Sequence, residues 1–434
     1  MIKFSTTKYL GWDAHLLQSD WIKLYLAPQL GGRIMQLAMH DHEFLFVNPE
    51  FVGKHVNDSR LGKEGSWLNF GGEKIWPAPQ GWDNDSQWPG PPDPILDSGV
   101  YTLTKKDGDG NNIVLTLKSP IDFSRGLQME RDIMLSKKKA EVVIKASLHN
   151  TKNVSQKWAI WPVCQVQTGK LISEGQFQII CPTATDSKYN SGYKVMHGVV
   201  NNPQYSLNDK KQLVVDYKYM IGKVGLDTDS DWVAFLDKTT GKVLIYKFSV
   251  QKHLEYPDNT SVQIWTNGIG TIYSRNKLTI FENDPSLTPP YMEIEILSPL
   301  VNILPGKKID FQYQIALSTI GKGQEIMDVN KLGIIVSNMY ATNQKNSYEI
   351  IGNYGFFYKG ILKIQINDAD KIDTSKLRDL YKTQVSPLKG TTIKLAIKKT
   401  IPLLNTNHII SANLYDLKNN YIGTIDEINV QNCC

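Results

Sequence analysis

Short alternating runs of hydrophobic and polar residues dominate the chain. Each run is about as long as a β-strand, and turn-forming residues separate one run from the next. Helical periodicity is scarce, and only residues 323–332 and 374–383 favour short helices. The pattern therefore predicts an all-β protein built as a sandwich or a barrel. The clearest runs are SDWIKLYLAP, GVYTLTKK, NIVLTLKS, AEVVIKASLHN, GKVLIYKFSV, SVQIWTNG, YMEIEILSP and KIDFQYQIALS.

A domain boundary is predicted where the strand pattern is interrupted, at STIGKGQEIMDVNK (318–331). After this segment tryptophan disappears, while Lys, Asn and Ile stay common. The remaining tail is about the size of an immunoglobulin-like sandwich and has about the right number of strands. We therefore expect a large β-domain over residues 1–322 and a small C-terminal β-sandwich over residues 323–434.

The bulk composition is that of an ordinary globular protein. The 434 residues are 41% hydrophobic and 21% charged, and the net charge is +5. A nucleic-acid-binding protein normally has a denser basic stripe, so no nucleic acid partner is expected. No apolar run is long enough to span a bilayer, so no membrane span is expected either. The composition leaves the oligomeric state open.

The start of the sequence, MIKFSTTKYLGW, has no apolar signal core. On the sequence as given, the expected location is the cytoplasm. A periplasmic or secreted location is expected instead if a signal peptide was removed.

No sequence motif for a metal or a cofactor is present, and neither is expected. The four cysteines (164, 181, 433 and 434) lack the spacing of a zinc site. A disulfide between Cys164 and Cys181 is left open. His40 and His42 fall on one face if their segment is extended, but a turn before a strand explains them more simply.

The segment SWLNFGGEKIWPAPQGW (66–82) combines large aromatic rings with strand-breaking residues. Gly71 and Gly72 interrupt it, and its prolines argue against a regular central strand. Loops seldom bury large aromatic side chains. Flat aromatic rings suit the apolar C–H faces of sugar rings, so Trp76 and Trp82 are candidate ligand-binding residues. The alternative is that they fill the core.

The run YMEIEIL (291–297) places two carboxylates on one face of a strand, because side chains alternate along it. Glu293 and Glu295 are therefore candidates for an acid–base site, since neighbouring like charges raise one pKa. An ordinary solvent-facing side is the alternative.

Two longer stretches resemble the galactose-mutarotase-like superfamily. They are SDWIKLYLAPQLGGRIMQLAMHDHEFLFVNPE near the start and YMEIEILSPLVNILPGKKIDFQYQIAL near residue 300. Between them, the motif Gly-Gly-Glu-Lys-x-Trp-Pro-x-Pro is similar to that of an uncharacterised branch of the superfamily. The resemblance covers roughly residues 5–320. It implies a β-supersandwich with a carbohydrate site on a concave face.

The resemblance also implies roles for individual residues. In aldose mutarotases a late-strand Glu takes the proton of the anomeric hydroxyl, and a His protonates the ring oxygen. Glu295 or Glu293 matches that Glu, whereas Trp161 stands near the place of the expected His. Lys74 or Arg33 would then bind a charged sugar group. Glu73 would orient Lys74 or pair with it at the surface.

Three functions follow from these expectations. The first is an enzyme with epimerase-like chemistry on a carbohydrate, with hydrolase or lyase activity as variants of it. The second is a non-catalytic carbohydrate-binding protein that has lost the acid. The third is a structural role in which the C-terminal sandwich binds a partner. The fold alone does not choose among them, because function resides in the site.

Overall fold

A computed structural model describes residues 2–55, 68–169, 175–274, 276–345, 347–368, 377–398 and 408–429. These residues contain no α-helix, and their 3₁₀ turns are Pro49–Phe51 and Pro257–Asn259. The all-β prediction is therefore confirmed. No helix among the described residues is long and apolar enough to cross a membrane.

The chain forms two compact units, and its path passes between them more than once. The first unit comprises residues 1–137, 141–237 and 244–316. The second comprises residues 138–140, 238–243 and 317–434. We propose that the two units correspond to the domains expected over residues 1–322 and 323–434.

The strands up to residue 319 make two large antiparallel sheets and a separate hairpin. Numbered in chain order, they are β1 (Lys3–Tyr9), β2 (Trp12–Gln18), β3 (Ile22–Ala27), β4 (Arg33–Met39), β5 (His42–Glu43), β6 (Glu73–Ala78), β7 (Thr102–Gly108), β8 (Asn112–Lys118), β9 (Leu127–Ser136), β10 (Glu141–Asn150), β11 (Gln156–Gln167), β12 (Phe177–Pro182), β13 (Lys194–His197), β14 (Tyr205–Leu207), β15 (Gln212–Asp216), β16 (Gly222–Leu226), β17 (Trp232–Asp237), β18 (Lys242–Phe248), β19 (Val262–Asn267), β20 (Gly270–Ser274), β21 (Lys277–Phe281), β22 (Tyr291–Ile296), β23 (Val301–Ile303) and β24 (Lys308–Thr319).

The first sheet has the strand order β1-β2-β3-β4-β6-β11-β22-β19-β16-β13, with β5 beside β4 and β23 beside β11. The second has the order β14-β15-β12-β17-β18-β24-β10-β9-β8-β7. β20 and β21 form the hairpin. This order is not the order of the chain, so strands far apart in sequence become neighbours in the first sheet.

Buried apolar side chains and a buried polar cluster join the two large sheets. β9 shows the alternation behind this packing, because every second residue of LQMERDIMLS is buried. One of those residues is Arg131, whose guanidinium donates to the Glu73 carboxylate of the first sheet. Tyr313 of β24 donates its hydroxyl to the same carboxylate at 2.6 Å. Glu73 therefore ties the first sheet to the second.

The second unit contains two four-stranded sheets around its own core. Their orders are β25-β26-β27-β30 and β29-β28-β31-β32. The strands are β25 (Asp328–Val329), β26 (Gly333–Asn343), β27 (Ser347–Phe356), β28 (Gly360–Asp368), β29 (Arg378–Val385), β30 (Thr391–Lys398), β31 (His408–Tyr415) and β32 (Tyr421–Asn429).

Neither predicted short helix is present among the described residues. Residues 323–332 contain only the short strand β25, and residues 378–383 of the second segment belong to β29. Residues 374–376 of that segment lie outside the described residues. These predictions were wrong because pairing with neighbouring strands outweighs weak local helix preference.

Candidate functional site

One face of the first sheet gathers most of the candidate residues. Glu295 on β22 lies opposite Val163 of β11 on one side and Gln263 of β19 on the other. Lys74 of β6 lies opposite Val163 in turn. Directly opposed residues in antiparallel strands project from the same face of a sheet. By the same register, this face carries Lys74, Trp76, Trp161, Gln165, Lys223, Gln263, Trp265, Glu293 and Glu295.

A cleft of about 570 Å³ opens over this face. A volume of this order is typical of small-molecule sites. The lining residues are Gln80, Trp82, Trp161, Lys194, Val195, Met196, His197, Lys223, Asp258, Gln263, Trp265, Ile272, Ser274, Thr279 and Phe281. The cleft therefore combines three tryptophan side chains with several charged or hydrogen-bonding groups.

Glu295 lies directly behind two of the lining side chains. Its Oε2 accepts hydrogen bonds from Trp161 Nε1 at 2.9 Å and from Lys223 Nζ at 2.8 Å. Burial raises the pKa of the Glu295 carboxyl, against the opposing effect of the Lys223 charge. The nearby carboxylate of Glu293 raises it further. A buried carboxylate with a raised pKa, in contact with a cationic amine, is suited to proton transfer.

Glu293 points to a different pair of side chains. Its Oε1 accepts from Gln165 Nε2 at 2.6 Å and lies 3.8 Å from Lys74 Nζ. Neither Gln165 nor Lys74 is among the residues that line the cleft. Glu295 does not line the cleft either, but its contacts Lys223 and Trp161 do, so it is the carboxylate more directly connected to the cleft.

Lys74 is fully buried, and its ammonium lies 4.7 Å from the centre of the Trp76 ring. Burial lowers its pKa to about 8, although the negative charge of Glu293 opposes this shift. Lys74 does not line the cleft, and its contact with a charged sugar group stays a prediction. The Glu293 carboxylate lies 3.8 Å from the Lys74 ammonium.

Lys74 makes a specific contribution to the pH dependence of stability. Its pKa is about 8 when folded, against an ordinary value of 10.5. Between these pH values the unfolded chain binds more protons, so this contribution to stability rises with pH. We expect the unfolding free energy of the wild type to rise relative to Lys74→Met over that interval, by up to about 1.4 kcal/mol per pH unit.

Urea unfolding of both proteins from pH 7 to 10 measures this difference. Lys8→Met is the matched control, because the Lys8 side chain is 69% exposed. A constant difference between wild type and Lys74→Met across the range would contradict the expected behaviour of Lys74.

The adjacent residue Glu73 faces the other way. Strand alternation directs it toward the second sheet, where it contacts Arg131 and Tyr313. The expectation that Glu73 orients Lys74, or pairs with it at the surface, was therefore wrong. Glu73 thus lies between the two sheets, whereas Lys74 lies on the face of the first sheet that carries the cleft.

The segment around this pair is a strand, although its prolines argued against a regular central strand. β6 includes Pro77, and it pairs with β11 from Glu73 to Ala78. The described pairing of β6 with β4 is limited to Ile34 opposite Glu73. On the β4 side, Pro77 therefore lies beyond the described backbone pairing. The predicted break does occur just before the strand: Gly71 has a φ of +93°, and a Cβ there would come within 2.1 Å of the Phe46 carbonyl oxygen.

The tryptophans of this region have different positions. Trp76 is buried, donates to Asp97 Oδ1 at 2.9 Å, and packs its ring against those of Trp88 and Trp161. Trp82 lines the cleft, is 47% exposed, and donates to the Pro89 carbonyl oxygen at 2.7 Å. Trp82 and Trp161 are thus the predicted binding residues found in the wall of the cleft, while Trp76 supports Trp161 from behind.

Arg33 also lies behind the cleft. Its guanidinium is fully buried and contacts Asp97 Oδ1 at 2.6 Å, the oxygen that also accepts from Trp76. Its charge is therefore compensated by Asp97, and it does not line the cleft. The role of Arg33 in binding a charged sugar group therefore stays a prediction.

Several cleft residues were not predicted from the sequence. Lys223 lies opposite Trp265 on one neighbouring strand and opposite His197 on the other. Trp265 in turn lies opposite Glu293, so the four residues follow one another across the sheet. Burial lowers the pKa of His197, and the Lys223 charge lowers it further.

Cys164 and Cys181 are both free and buried. No group of three His, Cys, Asp or Glu side chains that could hold a metal ion occurs within the described ranges.

A family model described as "Domain of unknown function (DUF4380)" matches residues 14–317. The prediction that the chain belongs to an uncharacterised family is thereby confirmed. A search of the curated proteins returned no match.

Solved structures of galactose mutarotase-like proteins are among those similar to the chain. One, from Clostridium acetobutylicum, is 10% identical with a TM-score of 0.46, over 73% of this chain and 99% of that one. Another, from Lactobacillus casei, is 9% identical with a TM-score of 0.44, over 70% of this chain and 99% of that one.

Proposed function

The chain belongs to the DUF4380 family, and we propose that it binds a carbohydrate in the cleft and catalyses epimerase-like proton transfer with Glu295 as the base. The observation that carries the proposal is the contact of the Glu295 carboxylate with Trp161 and Lys223, two side chains in the wall of the cleft. It joins a group that can move a proton to an aromatic surface that can hold a sugar ring.

The proposed chemistry is the interconversion of sugar anomers. Glu295 takes the proton from the anomeric hydroxyl, and the C1–O5 bond breaks to give the open-chain aldehyde as an acid protonates the ring oxygen. Closure on the other face of the aldehyde returns both protons and gives the other anomer. The raised pKa of Glu295 favours this role, because a general base works best when its pKa is near the working pH.

Lys223 is the proposed acid. It lines the cleft, and its ammonium already contacts Glu295 at 2.8 Å. With the carboxylate ionised and the amine protonated, the pair holds the protonation states that the first step needs. Lys223 would thus take the role of the histidine that the family resemblance leads one to expect near Trp161, but from a different position.

A non-catalytic carbohydrate-binding protein is the second candidate. The same contact supports it, because a charge pair already satisfied in the free protein can simply fix the wall of a binding site. The two functions are separated by two-dimensional NMR exchange spectroscopy on a panel of reducing sugars. Anomeric exchange faster than in buffer supports the enzyme, while binding without faster exchange supports the alternative.

Lys223→Met is expected to lower the exchange rate by about 10²-fold or more, because the variant has no proton to donate to the ring oxygen. Lys194→Met is the matched control: Lys194 also lines the cleft, but its ammonium donates to the carbonyl oxygen of Asp258. NMR exchange rates of the two variants, measured with the same sugar, make the comparison. Equal rates in both would remove Lys223 from the reaction.

A further inference from the structure

The floor of the cleft is wider than one sugar ring. Its lining residues reach from Trp161 on β11 to His197 on β13, and the strands β22, β19 and β16 lie between these two. With neighbouring strands about 4.8 Å apart, four spacings give a width of about 19 Å. That is several times the width of a pyranose ring, and the volume of about 570 Å³ is also larger than one such ring needs.

Trp82 supplies an aromatic surface at the rim of this cleft. Its exposed fraction is 47%, whereas Trp12, Trp88 and Trp158 are fully buried in the core. Its indole N–H donates to the carbonyl oxygen of Pro89, which satisfies the polar edge of the ring. A large, partly exposed aromatic ring at the rim of a cleft gives a ligand apolar surface to contact.

The turn that carries Trp82 is fixed by backbone hydrogen bonds. The amide of Gly81 donates to the Trp88 carbonyl oxygen, and the amide of Trp88 donates to that of Pro79, both at 2.9 Å. The Gln87 side chain accepts from the amide of Asp83 at 2.9 Å. The ring is therefore held in place before a ligand arrives, which lowers the entropy cost of stacking on it.

The hairpin β20–β21 adds an apolar wall to the cleft. Ile272 and Phe281 line the cleft from this hairpin, and Ser274 and Thr279 provide hydroxyl groups beside them. Sugar rings present apolar faces and hydroxyl edges, so a wall of this mixed character suits a ring held away from the reacting one.

We propose that the cleft binds an oligosaccharide of at least two rings, with one ring beside Glu295 and Lys223 and a neighbouring ring stacked on Trp82. The inference rests on the proposed function, because it takes the cleft to be a carbohydrate site. Anomer interconversion requires a free anomeric hydroxyl, so the ring beside Glu295 is the reducing end. The ring on Trp82 then lies toward the non-reducing end.

The test is a length series measured by isothermal titration calorimetry. The probes are glucose, galactose, mannose and xylose, each with its β-1,4-linked disaccharide and trisaccharide. We expect one series to bind more tightly as a second ring is added. Trp82→Ala should weaken binding of the disaccharide and trisaccharide about fivefold more than binding of the monosaccharide, as expected for one lost stacking contact.

Two further variants sharpen the comparison. Trp82→Phe keeps an aromatic ring and should recover most of the lost affinity. Phe123→Ala is the matched surface control, because Phe123 is 83% exposed and does not line the cleft. It should leave the whole length series unchanged.

The outcomes separate the two proposals. Affinity that is independent of chain length, or an equal loss for all lengths in Trp82→Ala, overturns the oligosaccharide inference and leaves the proposed function standing. Absence of binding by every probe contradicts carbohydrate binding itself, and the inference falls with it.

Discussion

Replacing Glu295 with Gln is expected to lower the rate of anomeric exchange by about 10²–10⁴-fold, the usual cost of losing an acid–base group. The variant keeps the size of the side chain and can still accept the hydrogen bond from Trp161. It cannot take the proton of the anomeric hydroxyl. Sugar affinity should therefore stay close to that of the wild type, so that the loss appears in the exchange rate measured by NMR.

Glu293→Gln is the matched control for this prediction. The two carboxylates lie on the same strand face, but the contacts of Glu293 are with Gln165 and Lys74, which do not line the cleft. We expect a smaller loss of exchange in this variant. Full exchange in both variants would remove the catalytic assignment and leave sugar binding as the function.

The strand pattern predicted the face that carries the two carboxylates but not its environment. Alternation in YMEIEIL correctly puts Glu293 and Glu295 on one side of β22, opposite Met292 and Ile294. The alternative interpretation was a solvent-facing side. All six residues of β22 are buried, because the strand lies near the middle of a wide sheet and both of its faces are covered. The alternation of polar and apolar residues along a strand does not distinguish a buried polar face from a solvent-exposed one.

Lys223 and His197 could not be assigned to the site from local pattern. Both lie between residues 182 and 232, where no clear alternating run occurs. Their strands join the sheet in the order β22-β19-β16-β13, which reverses the order of the chain. Tertiary pairing thus places Lys223 in contact with a Glu that is 72 residues away in sequence, and His197 opposite Lys223.

The aromatic segment shows the same limit at shorter range. Its tryptophans were interpreted as a group, yet Trp82 lines the cleft and Trp76 lies behind it. The difference arises because β6 continues through Pro77 and holds Trp76 on the sheet, whereas Trp82 belongs to the turn that follows. At Pro77 the described pairing of β6 is with β11 alone, which allows the proline to be accommodated, and the sequence contains no direct sign of that pairing.

Removing the carboxylate of Glu73 is expected to have the largest effect on stability. Glu73 is fully buried between the two large sheets, and it is the carboxylate that compensates the buried charge of Arg131. Glu73→Ala leaves that guanidinium without its charge partner, which costs about 3–5 kcal/mol for buried pairs of this kind. Urea unfolding should show this loss, whereas Tyr313→Phe, which removes one hydrogen bond to the same carboxylate, should cost about 1 kcal/mol.

A double variant tests whether the cost arises from the uncompensated charge or from the lost packing. Glu73→Leu combined with Arg131→Met replaces both charges with apolar side chains, and such exchanges are often neutral or stabilising in buried sites. If the charge is the cause, the double variant should be more stable than Glu73→Leu alone, even though it has lost more polar contacts. If the double variant is less stable than the single one, Glu73 stabilises the protein mainly through its packing between the two sheets. The Arg131 bond to the Gly32 carbonyl oxygen, at 3.0 Å, would then matter as much as the ion pair.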